Sequence, residues 1–154
     1  TVVVDNNNSS DVWGAFRVGQ RAVPYGLQVD YERKSVSCKH SGFSNFNSHV
    51  SVERKWSFLG AQRLQVVDMC SEIKRESKAY YHIHPDWKVV IHEEKIICKH
   101  GNFIAEIIVV GGGFSILDDN YYPQFGLKLK SKTLIVDIRD GRSEVLISWA
   151  KNVE

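Results

Sequence analysis

Two histidines separated by one residue, His82 and His84, are the first candidates for chemistry in this sequence. Side chains at positions i and i+2 of a strand lie on one face of a sheet, so the two imidazoles could share a metal ion. Asp86 or His92 could supply a third ligand. Because short motifs produce many false matches, we interpret the pair chiefly as exposed polar positions and keep a metal site as the alternative.

A Cys-Lys-His sequence occurs twice, at 38–40 and 98–100, and a Gly and a Phe follow each copy within three residues. Two cysteines and two histidines form a tetrahedral zinc set if their strands pair. The copies lie 60 residues apart, however, and nothing in the sequence makes them neighbours. We therefore favour packing of each cysteine as a small hydrophobic residue. With Cys70 the chain has three cysteines, which allow at most one disulfide. The cysteine count therefore does not decide between an oxidising and a reducing cellular compartment.

Aromatic residues could stack on sugars or fill a core, and large buried area favours the core for most of them. We predict core positions for Trp13, Trp56, Trp87 and Trp149, and a surface position for the pair Tyr121 and Tyr122 beside Pro123. The glycines at 111–113 lack the spacing of a phosphate loop and predict a turn or bulge.

The elements that position these residues are short stretches of alternating polar and apolar side chains, which predict strands. The eleven predicted strands are 1–5, 27–31, 36–40, 50–58, 64–69, 80–84, 87–93, 95–99, 103–110, 133–139 and 143–149, and residues 13–22 alternate only loosely. Asp140-Gly141 between the last two predicts a hairpin with a type I′ turn. Residues 41–48, which include Phe43 and Phe46, and 71–78 predict loops.

Composition agrees with this assignment. The 154 residues are 43% hydrophobic and 25% charged, enough to bury one core. The 19 Val and 12 Ile outnumber the 8 Leu and 6 Ala, which favours strands over helices. We predict an all-β fold, an antiparallel β-sandwich of about ten to twelve strands, with 1–154 as a single domain. A net charge of +2 argues against nucleic acid, and the longest apolar run, 104–110, is too short to span a membrane.

The opening Thr1-Val2-Val3-Val4-Asp5 is apolar, and the only methionine is Met69. Because chain termini are usually polar and loosely held, we expect this sequence to be the C-terminal fragment of a longer protein. No signal peptide is found at its start. For a fragment of a longer protein, the absence of such a signal says nothing about localisation.

Several stretches resemble, in order, the C-terminal β-sandwich region of the heparinase II/III-like polysaccharide lyase family. They are T-V-V-V-D at 1–5, W-G-A-F-R at 13–17 with R-A at 21–22, C-K-H-S-G-F at 38–43, V-E-R-K-W at 52–56, L-Q-V-V-D at 64–68 and Y-H-I-H-P at 81–85. The first resembles the segment after the family's His-Asn pair, and the last resembles its F-H-L-H-P strand. The family's H-D-G-Y stretch is altered, with Ser41 for Asp and Phe43 for Tyr, and only Arg54 of its H-R-R strand is retained. The resemblance extends to about Gly126.

The resemblance implies an N-terminal helical toroid before the β-sandwich, and lyases that cleave uronic-acid polysaccharides by β-elimination. In that reaction a base removes the C5 proton, the carboxylate charge is neutralised and an acid protonates the leaving oxygen. The family's catalytic Tyr, His and Asn lie upstream or in earlier strands, so no catalytic residue is assigned here. A structural divalent metal of the parent protein also lies upstream, and we expect no cofactor in this segment. The family's His-x-His is structural, which weakens the case for a metal site at His82 and His84.

The resemblance also implies partners and binding residues. Planar arginines recognise carboxylates, so Arg17, Arg21 and Arg54, with His40, are candidate contacts to an acidic polysaccharide, and Tyr122 could stack on a sugar. Arg54 and Asp68 are predicted to form a partly buried ion pair between neighbouring strands.

We expect a non-catalytic domain that supports the lyase domain, with the helical domain of the same chain as partner. The alternatives are a carbohydrate-binding module or a structural and assembly domain in bacterial surface-polysaccharide metabolism. A periplasmic or secreted location is slightly favoured.

Overall fold

The computed structural model describes residues 1–14, 17–43 and 50–151, and every regular element among them is a strand. The twelve strands are β1 (Val2–Val4), β2 (Pro24–Asp30), β3 (Ser35–His40), β4 (Val52–Gly60), β5 (Arg63–Cys70), β6 (Ser77–Ile83), β7 (Lys88–His92), β8 (Lys95–His100), β9 (Phe103–Val110), β10 (Phe114–Tyr121), β11 (Leu129–Ile138) and β12 (Arg142–Lys151). The predicted all-β sandwich is confirmed. No helix in the described ranges could cross a membrane.

The strands form two antiparallel sheets. The small sheet has the order β1-β6-β11-β10, and the large sheet has the order β2-β3-β4-β5-β12-β9-β8-β7. The large sheet therefore consists of two meanders, β2 to β5 and β7 to β9, which are joined by β12 lying between β5 and β9. Neither meander pairs directly with the other.

The core lies between the two sheets, where alternate side chains of each strand point inward. The small sheet and the large sheet contribute fully buried residues that include Val2, Ala79, Leu134, Val136, Val52, Ile96 and Val145. Burying each of the Val, Leu and Ile side chains among them contributes about 1.5–3 kcal/mol to folding before entropy is subtracted. The core between the sheets thus contains many of the Val and Ile residues of the sequence.

The predicted hairpin is confirmed between β11 and β12. Asp140 and Gly141 have φ values of 50° and 76°, as both central residues of a type I′ turn require. Arg139 and Arg142 exchange two backbone hydrogen bonds of 3.0 and 2.9 Å on either side of it.

Three predictions were wrong. Trp13 is 55% exposed rather than in the core. The Trp13 ring lies so close to Gly19 that a Cβ there would meet its Nε1 at 2.7 Å. Residues 114–121 form the unpredicted strand β10, and the predicted loop 71–78 ends in the first two residues of β6. Phe46 and most of the loop 41–48 lie outside the described residues.

Candidate functional site

Arg54 and Asp68 are direct partners in the register of β4 and β5. Their side chains point into the sandwich, where Nε and Nη2 of Arg54 donate to the two carboxylate oxygens over 2.6 and 3.0 Å. Asp68 is fully buried and the Arg54 side chain is 19% exposed. The predicted partly buried ion pair is therefore confirmed, in the bidentate form that a planar guanidinium favours.

Tyr81 completes this cluster from the opposite sheet. Its hydroxyl donates to Oδ2 of Asp68 over 2.6 Å, and the Arg54 guanidinium carbon lies 4.6 Å from its ring centroid. Burial, and then the negative charge of Asp68, raise the pKa of the Tyr81 hydroxyl far above its usual value. At neutral pH this tyrosine is uncharged, and its hydroxyl proton is used in the hydrogen bond to Asp68.

His40 ends β3 next to this cluster. The backbone N–H of Gly42 lies 3.3 Å from its Nδ1, which therefore accepts and leaves the proton of a neutral ring on Nε2. Burial, aided by the positive charge of Arg54, lowers the pKa of His40, so the neutral ring prevails at neutral pH. The ring packs 5.7 Å from that of Phe43. Gly42 is required here because a Cβ would come within 2.5 Å of the Ser9 carbonyl oxygen.

A cavity of about 300 Å³ opens beside the cluster, and its lining includes His40, Arg54, Asp68 and Trp56. Most of its wall is apolar, since Val52 and Pro24 also line it. One edge of the Arg54 guanidinium is occupied by Asp68, and within the described part of the chain no hydrogen bond uses its other N–H groups. A neutral His40 and this free edge are both hydrogen-bond donors, which suits an anionic or hydroxyl-bearing ligand.

A family model described as "Heparinase II/III-like, C-terminal" matches residues 1–150. The chain belongs to the heparinase II/III-like family. Comparison with curated protein sequences finds no match.

Solved heparinases share the fold of this heparinase II/III-like chain. A heparinase III superposes with a TM-score of 0.72 at 12% identity, covering 99% of this chain and 24% of its own. Heparan sulfate lyase HepC from Pedobacter heparinus gives a TM-score of 0.73 at 9% identity, covering 100% of this chain and 24% of its own. The chain thus spans about a quarter of the length of these enzymes.

The other binding residues expected in this heparinase II/III-like domain lie apart from the cluster. The Arg17 guanidinium stacks 5.8 Å from the Trp13 ring, and Arg21 lies exposed in the segment before β2. Tyr122 follows β10, at the edge of the small sheet farthest from β1, and is 64% exposed. Of the predicted binding residues, only His40 and Arg54 line the cavity.

The two histidines of the Y-H-I-H-P stretch have different partners. Nδ1 of His82 lies 2.9 Å from the Thr133 hydroxyl, whereas the His84 ring packs 5.0 Å from that of Tyr121. His84 Nδ1 also lies 3.5 Å from the Asp86 carboxylate. Within the described ranges, no three His, Cys, Asp or Glu side chains converge as metal ligands would.

The two Cys-Lys-His copies lie on β3 and β8, which four strands of the large sheet separate. Their cysteines and histidines therefore cannot share one zinc ion. Cys98 is buried in the core, and this burial raises the pKa of its thiol.

Sequence reasoning missed Tyr81, Asp119 and Thr133 as polar partners. The one available signal was that Tyr81 stands where the family's F-H-L-H-P strand has Phe. A phenylalanine has no hydroxyl that could donate to Asp68 as Tyr81 does.

Proposed function

We propose that this domain is a non-catalytic part of a heparinase II/III-like lyase that acts on uronic-acid polysaccharides. The observation that carries the proposal is the saturated state of the cluster formed by Arg54, Asp68 and Tyr81. Each oxygen of the buried carboxylate accepts a hydrogen bond, and the tyrosine proton is held by Asp68. The cluster supports the fold by joining the two sheets.

β-Elimination needs a base that removes a proton and an acid that returns one to the leaving oxygen. Asp68 is a poor base because it is fully buried and paired with Arg54. Tyr81 is a poor acid because its pKa is raised so far. The catalytic groups are therefore proposed to lie in the remainder of the parent protein, which in the solved heparinases is about three quarters of the chain.

The role proposed for this domain in substrate binding rests on His40 and Arg54. Their donors face a cavity whose other walls are largely apolar, a combination that binds the carboxylate and ring of a uronic acid. Arg17 and Arg21 would contribute from the exposed loop before β2, where nothing in the described residues pairs their charge with a carboxylate. The acidic polysaccharide is therefore proposed as a ligand of the whole protein.

An assay of the chain alone tests the non-catalytic part of this proposal. The protein is mixed with heparin, heparan sulfate or alginate, and the ultraviolet absorbance of unsaturated uronate products is followed. No increase above the rate of buffer is expected. Turnover that copurifies with the chain and disappears on Asp68→Asn would contradict it.

A binding experiment tests the substrate part. We expect a heparan sulfate hexasaccharide to bind the chain, and His40→Gln to weaken binding about tenfold, the effect of losing one good hydrogen bond. Arg33→Gln, a change at an exposed arginine outside the cavity, is the matched control. Equal affinities for the two variants would remove His40 from the site.

A carbohydrate-binding module is the second candidate, and the exposed pair Tyr121 and Tyr122 favours it. Exposed aromatic rings at a sheet edge are suited to stacking on sugars. If this function is correct, Tyr122→Ala abolishes saturable binding to acidic glycans, whereas Tyr31→Ala, at an 87% exposed ring in the turn between β2 and β3, leaves it unchanged.

An assembly role is the third candidate. The inward face of the large sheet continues past the small one, and there Phe58 is 51% exposed and packs edge-on against Trp149 at 6.5 Å. Exposed apolar patches of this kind mark contact surfaces. We propose the helical domain of the same protein as the partner that covers it. Phe58→Glu should then abolish copurification with the separately produced helical domain.

A further inference from the structure

A three-residue hydrogen-bond network lies on the outer face of the small sheet, opposite to the core. The Thr133 hydroxyl on β11 lies 2.6 Å from Oδ2 of Asp119 on β10 and 2.9 Å from Nδ1 of His82 on β6. His82 is the register partner of Thr133, and Asp119 lies diagonally across the next pair of strands. Thr133 is 3% exposed, so its hydroxyl has no access to bulk water.

The number of available protons determines which ring nitrogen of His82 carries a proton. A hydroxyl has one proton, and the Thr133 hydroxyl donates it to the carboxylate of Asp119, the stronger acceptor at the shorter distance. Nδ1 of His82 must then be the donor to the Thr133 oxygen. In a neutral ring this leaves Nε2 as an unprotonated acceptor, and within the described residues no protein group donates to it.

A polar cavity of about 320 Å³ adjoins this network. Its lining consists of Thr1, Val3, Asn6, Asn8, Tyr80, His82 and Asp119. The side chains of Asn6 and Asn8 are exposed and make no hydrogen bond within the described ranges. Each amide can both donate and accept.

The turn that presents Asn6 is held in place by the fold. Asp5 and Asn6 both have positive φ, 48° and 60°, and Val4 exchanges hydrogen bonds of 3.3 and 2.9 Å with Asn7. The Asp5 carboxylate is anchored by Arg75 at 2.5 Å. Asp and Asn adopt the left-handed region more readily than other non-glycine residues, and these hydrogen bonds hold the turn in that geometry.

We propose that this cavity binds an uncharged, hydroxyl-rich saccharide unit. Asp119 and Nε2 of His82 accept hydrogen bonds from sugar hydroxyls, the two amides both accept and donate, and Tyr80 offers an aromatic wall. Asp119 is the only acidic side chain of the described lining, and that lining contains no Lys or Arg side chain, which disfavours sulfate and carboxylate groups. The site lies on the opposite face of the small sheet from Tyr81, and it shares only its class of ligand with the function proposed above.

The tautomer of His82 is the first test. In the nitrogen NMR spectrum of the free chain, the neutral form of His82 should carry its proton on Nδ1. Asp119→Ala frees the Thr133 hydroxyl to donate to Nδ1, and the proton should then move to Nε2. A free chain with the proton on Nε2, or an Asp119→Ala variant with no change, would overturn the proton assignment.

Titration with cellohexaose, chitohexaose and a heparan sulfate hexasaccharide is the second test. We expect at least one neutral oligosaccharide to bind saturably at high salt, with shifts at His82 and the Asn6 amide. Asp119→Ala and Asn6→Gly should each weaken binding about tenfold or more. Glycine keeps the positive φ at position 6 and removes only the amide.

Ser115→Ala, at an exposed position on the same outer face, is the matched control and should bind like the unmodified chain. Binding of neither neutral oligosaccharide, or affinities unaffected by both cavity variants, would overturn the proposal. Because these probes carry no uronate and His40 is unchanged, the result is independent of the lyase assay and the His40→Gln experiment.

Discussion

Tyr81 of the small sheet donates its hydroxyl proton to Asp68 of the large sheet across 2.6 Å, so the two sheets share a buried polar contact as well as an apolar core. A hydrogen bond to a charged group is worth about 1.5–3 kcal/mol. Tyr81→Phe should therefore lower the free energy of unfolding by about that amount in urea denaturation. Tyr25→Phe, which removes an exposed 3.4 Å contact to Ser51, should change it by less than about 0.5 kcal/mol. Equal losses in both variants would remove this contact as a determinant of stability.

Arg54→Met should be more damaging than Tyr81→Phe. It leaves the fully buried carboxylate of Asp68 without its counter-charge, and breaking a buried pair from one side costs about 3–5 kcal/mol. Arg54→Met combined with Asp68→Leu should recover much of that loss, because no unpaired charge remains. Lys95→Met, which breaks the exposed pair with Glu106, is the control and should cost less than about 1 kcal/mol. A double variant as unstable as the single one would contradict this account.

Stability should fall in mild acid because of His40. Burial lowers the pKa of its folded-state ring below the ordinary 6.5, so the unfolded chain binds more protons between that value and the folded pKa. The contribution of His40 is therefore complete above pH 6.5 and is lost as the pH falls through the folded pKa. Melting temperatures between about pH 8 and pH 5 should decline less steeply for His40→Gln than for the unmodified chain. Parallel profiles would exclude His40 as the titrating group.

Gly141→Ala should destabilise the β11–β12 hairpin. Gly141 has a φ of 76°, and a Cβ would lie 2.7 Å from the Cys70 carbonyl oxygen. Left-handed backbone and close contact together predict a loss of about 1–3 kcal/mol in thermal or urea unfolding. Gly60→Ala is matched, since position 60 lies near the end of β4 with open space around it and no positive φ, and its effect should be near zero. Comparable losses in both variants would place the effect elsewhere than in the turn.

Local rules account for what the sequence predicted correctly. Asp140-Gly141 carries its own turn preference, and the Arg54–Asp68 pair follows from two strands adjacent along the chain. β10 was missed because polar residues at 118–120 hide its alternation. Trp13 was wrongly predicted to lie in the core because the general preference of tryptophan for burial does not take into account the neighbouring Gly14, whose φ is positive.

The polar contacts across the fold could not be predicted, for a physical reason. Tyr81 reaches Asp68 only because β6 lies in the other sheet, and Thr133 meets His82 only because β11 pairs with β6. Both contacts depend on the order of the strands in the sheets, which the periodicity and spacing of residues do not predict. The i, i+2 spacing of His82 and His84 likewise did not reveal their different partners, Thr133 and Tyr121, because these lie on other strands.

The central position of β12 has a consequence for the order of folding. The chain is synthesised from its N-terminus, so β2 to β5 and β7 to β9 can form hairpins early, while the strand between them comes last. Until then, one edge of β5 and one edge of β9 are left without partners, and β9 contains three Ile and two Val. Such edges are prone to association with other chains. Nascent chains that stop short of β12 should therefore depend on chaperones, and the closing step, which joins residues far apart in sequence, should be slow.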